Sequence, residues 1–407
     1  MKAINAGADV NTKDKYGDTA LHFAVNTKNE ALVKFLIAKG ADLNLQDRHG
    51  DTALITAAHD EQSVIASALI AAGADVNIED EDGFTALIWA AANNLEAVAS
   101  DLIQKGADVN AKNHKHETAL LRAAHHGYEG MCKLLVAKHA NVNAKDNNGN
   151  TPLIHVMASG NEAVVDLFLS NEAEINAKNY HGDTALISAS RHGHAGVVRR
   201  LIAEGADVHA QNDFKENALM ASVDVRHESC ADIINALLIK GIDINAQDRF
   251  GATALIRACR YNRETAVKIL LENGADPTIV MEGGGTALSA ILDNTGHHDD
   301  VVELLKDHMI DETASPVVTN NILSLEVETG HGNRLMEVFN FETRTRMQTY
   351  YSAATQSWSK PCTESFDDIP DAPKVLSKAF EKYRAAGGNL PVDVLQPKKG
   401  PKPGAGQ

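Results

Sequence analysis

The sequence predicts an all-α repeat solenoid that carries a small α+β appendage at its C-terminal end. Threonines that open the phrase Thr-Ala-Leu or Thr-Pro-Leu recur every 33 residues along the first half of the chain. They are Thr19, Thr52, Thr85, Thr118, Thr151 and Thr184. A second phrase, Gly-Ala-Asp-Val-Asn or a variant of it, keeps the same phase. Apolar residues make up 44% of the chain and aromatic residues 5%, a mix that suits closely packed, alanine-rich helices.

The period continues into the second half of the chain with one irregular step. Asn217 lies 33 residues after Thr184, Thr253 follows after 36 residues, and Thr286 follows after 33. The sequence therefore predicts an array over residues 1–309, with a partial first repeat. Full repeats open near residues 14, 47, 80, 113, 146, 179, 212, 248 and 281. Because one such unit cannot bury its own apolar face, stacking of neighbouring repeats must supply the core.

Each repeat carries signals for two helices. The threonine hydroxyl is expected to cap the first helix by accepting an otherwise unpaired backbone N–H. The second helix is expected to end at a glycine in the left-handed conformation. These glycines are Gly40, Gly73, Gly106, Gly205, Gly241 and Gly274. In repeats four and five His139 and Glu172 take the place of this glycine, and Asn171 is an alternative cap one residue earlier.

Repeat seven departs furthest from the pattern. Asn217 replaces the threonine, Lys215 replaces the turn glycine, and three residues are inserted around the segment VDVRHESCADI. The insertion indicates either a hinge or special contact, or an insertion that the fold tolerates.

The two phrases and their period resemble the ankyrin repeat, whose period is 33 and whose signature contains T-P-L-H-x-A. The resemblance implies a helix-turn-helix plus a β-turn or hairpin per repeat. It also implies that turn tips and inner helices line a concave groove that binds a partner protein. Mapped onto this chain, the partner-binding positions are Tyr16, Arg48, His49, Glu81, Asp82, Phe84, Trp89, Asn93, His125, His126, Tyr180, His181, Arg191, His192, Phe214, Phe250 and Tyr261.

The composition of this set favours a binding function, since aromatic and arginine side chains are frequent hot spots in protein interfaces. Turn aromatics that pack on the neighbouring turn are the alternative interpretation. The four acids of the turn 79–82 favour a partner with a basic patch, unless they form only a solvated acidic turn. A formal net charge of -17 disfavours nucleic acid, because phosphate binding needs a basic surface.

Catalytic and metal-binding motifs are not found in the sequence. It contains no phosphate-binding loop of the GxxxxGK[ST] type, no HExxH helix and no GxSxG elbow. The 18 histidines suggest a metal or pH-sensitive strip, yet the ankyrin pattern itself places histidines at several of these positions. We therefore expect no enzyme activity, no cofactor and no metal.

Four widely spaced cysteines, without a signal peptide or an apolar run long enough to span a bilayer, predict free thiols. We expect a cytoplasmic protein that does not insert into membranes, and a monomer.

The 33-residue period stops near residue 310. Residues 310–321 are predicted to be a linker, and residues 322–390 a small α+β cap or module. Its segments ILSLEVET and RLMEVFNFETRTRMQTYY predict two or three strands, and DAPKVLSKAFEKYRAAGG predicts a helix. Residues 391–407 are rich in Pro, Gly and Lys and are predicted to be disordered.

The function that follows is a protein–protein interaction scaffold or adaptor. In the alternative, the array is the targeting arm of an effector or toxin-like protein whose C-terminal segment carries the activity. A third interpretation, a purely structural spacer, does not explain the aromatics at the turn tips.

Overall fold

The computed structural model describes most of the repeat array and the strands that follow it. The described residues are 8–224, 229–282, 284–292, 299–309, 315–319, 322–329, 333–340, 345–352, 357–358 and 362–365. The chain divides into two compact units, Met1–Asp243 and Ile244–Gln407.

The first unit is built from seven pairs of antiparallel helices in its described residues. The first, inner helix of each pair is α1 (Ala20–Asn26), α3 (Ala53–His59), α5 (Ala86–Ala92), α7 (Ala119–His126), α9 (Pro152–His155), α11 (Ala185–His192) or α13 (Ala218–Val223). The second, outer helix is α2 (Glu30–Ala38), α4 (Ser63–Ala71), α6 (Glu96–Gln104), α8 (Glu129–Ala137), α10 (Glu162–Leu169), α12 (Ala195–Ala203) or α14 (Cys230–Ile239). Helix α9 continues as a 3-10 turn, Val156–Ala158. Inner helices pack on inner helices and outer on outer, so the predicted repeat solenoid is confirmed for this unit.

Side-chain caps start the inner helices as predicted. The Thr52 hydroxyl accepts the backbone N–H of Ile55 at 3.2 Å. Asn217, which replaces the threonine in repeat seven, accepts the N–H of Met220 at 3.0 Å. Asparagine is as good an N-cap as threonine, so this helix keeps its start. Residues 225–228, within the segment that carries the insertion, lie outside the described part of the chain.

The outer helices end as predicted, with one correction. His139 and Glu172 both adopt the left-handed conformation, with φ of 63° for each. The proposal that Asn171 moves the cap by one residue is therefore wrong. The Ala173 N–H bonds to the Phe168 carbonyl at 3.1 Å, the same closing bond that follows the glycine caps. Stacking of the repeats thus holds the backbone geometry even where the residue does not favour it.

The asparagine of the second phrase joins successive repeats. The Asn11 side-chain oxygen accepts the backbone N–H of Asp42 at 2.8 Å. Asn44 accepts that of Asp75, also at 2.8 Å, and the bond recurs between later repeats of the unit. Each bond pairs a loop N–H that would otherwise need water, which explains why the phrase ends in asparagine.

The second unit contains two further helix pairs and a sheet. Its helices are α15 (Ala254–Arg260), α16 (Glu264–Glu272), α17 (Ala287–Leu292) and α18 (Asp299–Met309). Its strands are β1 (Ser315–Thr319), β2 (Ile322–Thr329), β3 (Asn333–Asn340), β4 (Thr345–Ser352), β5 (Ser357–Trp358) and β6 (Cys362–Ser365). They form an antiparallel sheet in the order β1-β2-β3-β4-β5, and β6 also pairs with β4.

The strands predicted from the segments ILSLEVET and RLMEVFNFETRTRMQTYY correspond to β2, β3 and β4. Strand β1 lies inside the predicted linker 310–321, where Val317 pairs with Ser324 and Val318 with Leu323. Two adjacent valines favour a strand once a partner strand is present. The predicted helix within 371–388 and the tail 391–407 lie outside the described residues. The proposed boundaries at 309, 321 and 390 stay predictions.

Candidate partner-binding face

The turn tips of the first unit form a continuous ladder. At each tip an Asp or Asn side chain accepts two backbone N–H groups; Asp47 accepts those of His49 at 2.8 Å and Asp51 at 3.0 Å. Successive tips are joined by backbone bonds, such as Glu81 N–H to the His49 carbonyl at 2.9 Å. Side chains on this ladder therefore stand on fixed backbone, which lowers the entropy lost when a partner binds.

Most of the predicted partner-binding residues are exposed. In the first unit the exposed members are Tyr16, Arg48, His49, Glu81, Asp82, His125, His126, Tyr180, His181, His192 and Phe214. Four are half-buried, namely Phe84, Trp89, Asn93 and Arg191. In the second unit Phe250 and Tyr261 are exposed. Tyr180 stands out most, with 68% of its surface accessible.

The turn aromatics Tyr16 and Phe250 also pack against neighbouring side chains. The Tyr16 ring lies under the Arg48 guanidinium, 4.9 Å from ring centroid to Cζ, and Phe250 lies 4.6 Å from Arg249. The interpretation that turn aromatics pack on their surroundings thus holds for these residues. Both rings nevertheless keep a large exposed area.

Two predicted binding residues, Asn93 and Arg191, form hydrogen bonds or ion pairs within the fold. The Asn93 amide donates to the Ala58 carbonyl at 3.1 Å and to the His59 carbonyl at 2.9 Å. These are carbonyls at the end of the preceding inner helix, which the helix leaves unpaired. Arg191 forms ion pairs with Asp183 at 3.1 Å and with buried Glu216 at 2.7 Å. A contact of either residue with a partner stays a prediction.

A recurring ion pair on this face was not found from the sequence. Carboxylates at or near the turn contact a basic side chain on the inner helix of the same repeat: Glu117 pairs with Arg122 at 3.4 Å, Asp183 pairs with Arg191 at 3.1 Å, and Asp146 is hydrogen-bonded to His155 at 2.9 Å. In the second unit Asp248 pairs with Arg257 at 2.8 Å. The spacing of nine residues from a turn Asp to a helix cation, seen for Asp146 and Asp248, is the signal that could have identified it.

Repeats two and three form an acidic cleft instead. A cleft of about 270 Å³ is lined by His49, Asp51, His59, Asp80, Glu81, Asp82 and Trp89. The Trp89 indole N–H reaches the Asp80 carboxylate at 3.5 Å. Its ring stacks on Phe84, 4.4 Å between centroids, and meets His59 edge-on at 4.3 Å.

The negative charge of this cleft affects the pKa of Asp51. Burial, followed by the nearby carboxylates of Asp47 and Asp80, raises the pKa of Asp51 to about 6. Since the folded-state pKa lies above the ordinary value, ionising Asp51 destabilises the fold as pH rises through 6. The cleft therefore holds negative charge at a cost in stability, a condition common at functional sites.

The histidines of repeats four and five form a second cluster. His125 lies 5.7 Å from His155 and 5.0 Å from His126, ring to ring. Burial lowers the pKa of both His125 and His126; the next cause is the charge of His155 for His125 and that of Arg122 for His126. Within the described residues, no three His, Cys, Asp or Glu side chains are placed to hold a metal ion.

The buried cysteines are not candidates for chemistry. Burial raises the pKa of Cys132 and of Cys259 to about 12, so neither forms the reactive thiolate at neutral pH. Across the described helices, none is both long and apolar enough to span a bilayer.

Comparison with known proteins agrees with this architecture. A model of ankyrin repeats (3 copies) matches residues 1–80, 28–113, 57–146, 87–179, 120–212, 157–248 and 219–316. The ankyrin repeat domain of Bcl-3, a member of the IkappaB protein family, is 30% identical with a TM-score of 0.46, covering 55% of this chain and 100% of that one.

The human ASB11 ankyrin repeat domain is 22% identical with a TM-score of 0.50, covering 55% of this chain and 98% of that one. No curated protein matches the chain. Because the family model spans residues 1–316, the chain belongs to the ankyrin repeat family.

Proposed function

We propose that the chain is a scaffold or adaptor that binds a partner protein through the turn tips and inner helices of its repeats. Ankyrin repeat domains are generally protein–protein interaction modules, and generally not enzymes. The observation that carries the proposal is the row of exposed aromatic and histidine side chains on hydrogen-bonded turn tips. Large apolar surface exposed on a rigid backbone is typical of interaction sites.

Further parts of the proposal concern the partner and the setting. A partner with a basic patch is supported by the net charge of -17 and by the acidic turn of repeat three. We also propose that the protein is a monomer, that it acts in the cytoplasm and that it catalyses no reaction. The buried thiols of Cys132 and Cys259 are compatible with a reducing compartment.

Removal of two aromatic side chains from this face is expected to weaken partner binding. The full chain, immobilised, captures proteins from a native lysate, and captured proteins are identified by mass spectrometry, purified and titrated. In the variant Trp89→Ala/Tyr180→Ala we expect the dissociation constant to rise at least about tenfold, since aromatic hot spots each contribute about 2 kcal/mol.

The matched control removes exposed apolar side chains from outer helices. Val64 is 56% and Ile239 82% exposed, so the variant Val64→Ala/Ile239→Ala removes exposed apolar surface from outer helices. It should bind like the wild type. Equal loss in both variants, or loss in neither, would contradict the proposed binding face, provided that circular dichroism shows both to be folded.

A further inference from the structure

The acidic cleft of repeats two and three differs from the equivalent places in later repeats of the first unit. In repeats four to six a basic side chain of the inner helix contacts a carboxylate at or near the turn: Arg122 at 3.4 Å, His155 at 2.9 Å and Arg191 at 3.1 Å. The arginines of repeats four and six therefore compensate carboxylate charge at their own turns.

Repeats two and three carry no such cation on the inner helix. The fourth residue after the capping threonine, which is Arg122 or His155 further along, is Thr56 in repeat two and Trp89 in repeat three. Neither side chain is charged. The carboxylates of Asp51 and Asp80 thus face a cleft that also contains Glu81 and Asp82. In repeat three this position is held by Trp89, whose indole N–H reaches Asp80 at 3.5 Å, so this position of the inner helices of repeats two and three brings hydrogen-bonding groups but no positive charge to the cleft.

The histidines of the cleft lower the pKa of Asp51 only as the smaller causes, after burial and the carboxylates of Asp47 and Asp80 raise it. The His49 ring accepts a hydrogen bond on Nε2 from the Arg48 guanidinium at 2.9 Å. His59 lies edge-on to Trp89, and its Nδ1 is 3.2 Å from Asp60. The net charge of the lining residues at pH 7 is therefore strongly negative.

The presence of Trp89 in the lining of the cleft is an observation independent of the charge. Trp89 is fixed by stacking on Phe84 and by its bond to Asp80, and its indole lines the cleft. A tryptophan ring attracts cations and also stacks on the planar guanidinium group. A volume of about 270 Å³ is smaller than the pockets that take drug-sized molecules and suits one side chain.

We propose that the cleft formed by Asp51, Asp80 and Trp89 binds an arginine side chain of the partner protein. The guanidinium lies against the part of the Trp89 indole that lines the cleft and donates hydrogen bonds to the carboxylates of Asp51 and Asp80. The incoming arginine pairs with carboxylates at the turn, as Arg122 and Arg191 do in their own repeats. The inference rests on the proposed function, since it assigns one contact of the proposed partner.

The test uses the full chain labelled with 5-fluorotryptophan. The sequence contains two tryptophans, Trp89 and Trp358, so the fluorine NMR spectrum has two signals, which the variant Trp89→Phe assigns. The probe is the capped peptide Gly-Gly-Arg-Gly-Gly. Its control replaces arginine by citrulline, which has nearly the same shape and no charge. A third peptide carries lysine.

The arginine peptide is expected to shift the Trp89 signal saturably, and the citrulline peptide is not. The variant Asp51→Asn/Asp80→Asn should bind the arginine peptide about tenfold more weakly, which corresponds to about 1.4 kcal/mol. Asparagine preserves the turn, because Asn113 and Asn179 hold the position of Asp80 in other repeats and Asn150 holds that of Asp51. The control Asp14→Asn, at the equivalent turn position of repeat one, should leave binding unchanged.

Binding should also weaken as pH falls from 7 to 5. The raised pKa of Asp51, about 6, means that this carboxylate loses its charge across that range. Asp47, Asp80, Glu81, Asp82, His49 and His59 are the other titratable groups of the cleft and its turn. Protonation of any of them acts in the same direction, and the variant Asp51→Asn should flatten the dependence.

Equal shifts with the citrulline peptide, or unchanged affinity in the double variant, would overturn the inference. A lysine peptide that binds as tightly as the arginine peptide would overturn the assignment to arginine. If the peptides fail while a captured partner still needs Trp89 and Tyr180, the inference is wrong and the proposed function stands. If no partner depends on those residues, the proposed function is wrong as well.

Discussion

Replacement of Phe168 by alanine is expected to lower the free energy of unfolding by about 3–5 kcal/mol, as for other buried aromatic residues. Phe168 lies on outer helix α10 with no accessible surface. Equivalent positions in neighbouring repeats carry Leu135 and Leu201, so this repeat uses a larger side chain. Val156 and Met157 in the same repeat are also fully buried.

Urea unfolding followed by far-UV circular dichroism measures this effect. The matched control is Phe23→Ala, because Phe23 is 61% exposed on inner helix α1. Its unfolding free energy should change by no more than about 0.5 kcal/mol. Repeat arrays lose cooperativity easily, so an early separate transition in Phe168→Ala is also consistent with the packing described. Identical curves for wild type and Phe168→Ala would contradict it.

The change Arg191→Met is expected to lower the free energy of unfolding by about 2 kcal/mol, since it leaves carboxylates without their cation. Glu216 is buried and Asp183 is half-buried, and Arg191 contacts both. Methionine keeps the apolar stem of the side chain, so that the loss reports charge pairing. The double variant Arg191→Met/Glu216→Gln should recover about half of the loss, because the buried charge is then absent.

The control for this charge effect is Arg199→Met. Arg199 pairs with Asp232 at 3.6 Å, and both side chains are exposed. Surface pairs of this kind contribute about 0–1 kcal/mol. Thermal or urea unfolding of the three variants distinguishes the effect of the pair with buried Glu216 from that of the exposed pair. A loss in Arg199→Met as large as in Arg191→Met would show that the burial of Glu216 is not the cause.

The repeat architecture follows from the sequence because its determinants are local. Thr52 caps its helix through a residue three positions on, and Gly40 takes a φ of 79° that few other residues favour. Each of these signals recurs at the same position of most repeats, so a misread signal in one repeat does not change the assignment of the other repeats. The exceptions His139 and Glu172 could not be judged locally, because neighbouring repeats impose their conformation.

The acidic cleft could be identified only from the structure. Asp51 and Asp80 lie in different repeats, and Trp89 lies on a helix nine residues after Asp80. A hydrophobicity pattern does not report which side chains of two repeats meet. The sequence did identify the individual members Glu81, Asp82 and Trp89, because the family resemblance marks turn and inner-helix positions. The absence of a basic residue at the positions of Thr56 and Trp89 can be read from the sequence, but its meaning depends on the contacts that Arg122 and Arg191 make in their own repeats.

The central claim is that turn tips and inner helices bind the partner. Amide hydrogen exchange of the full chain, with and without the captured partner, tests it most directly. We expect the partner to slow exchange at the turns 47–50, 80–83 and 179–182 and in the following inner helices. Outer helices such as Ser63–Ala71 and Glu129–Ala137 should exchange at unchanged rates. Protection confined to those outer helices, or to the strands between residues 315 and 365, would contradict the claim.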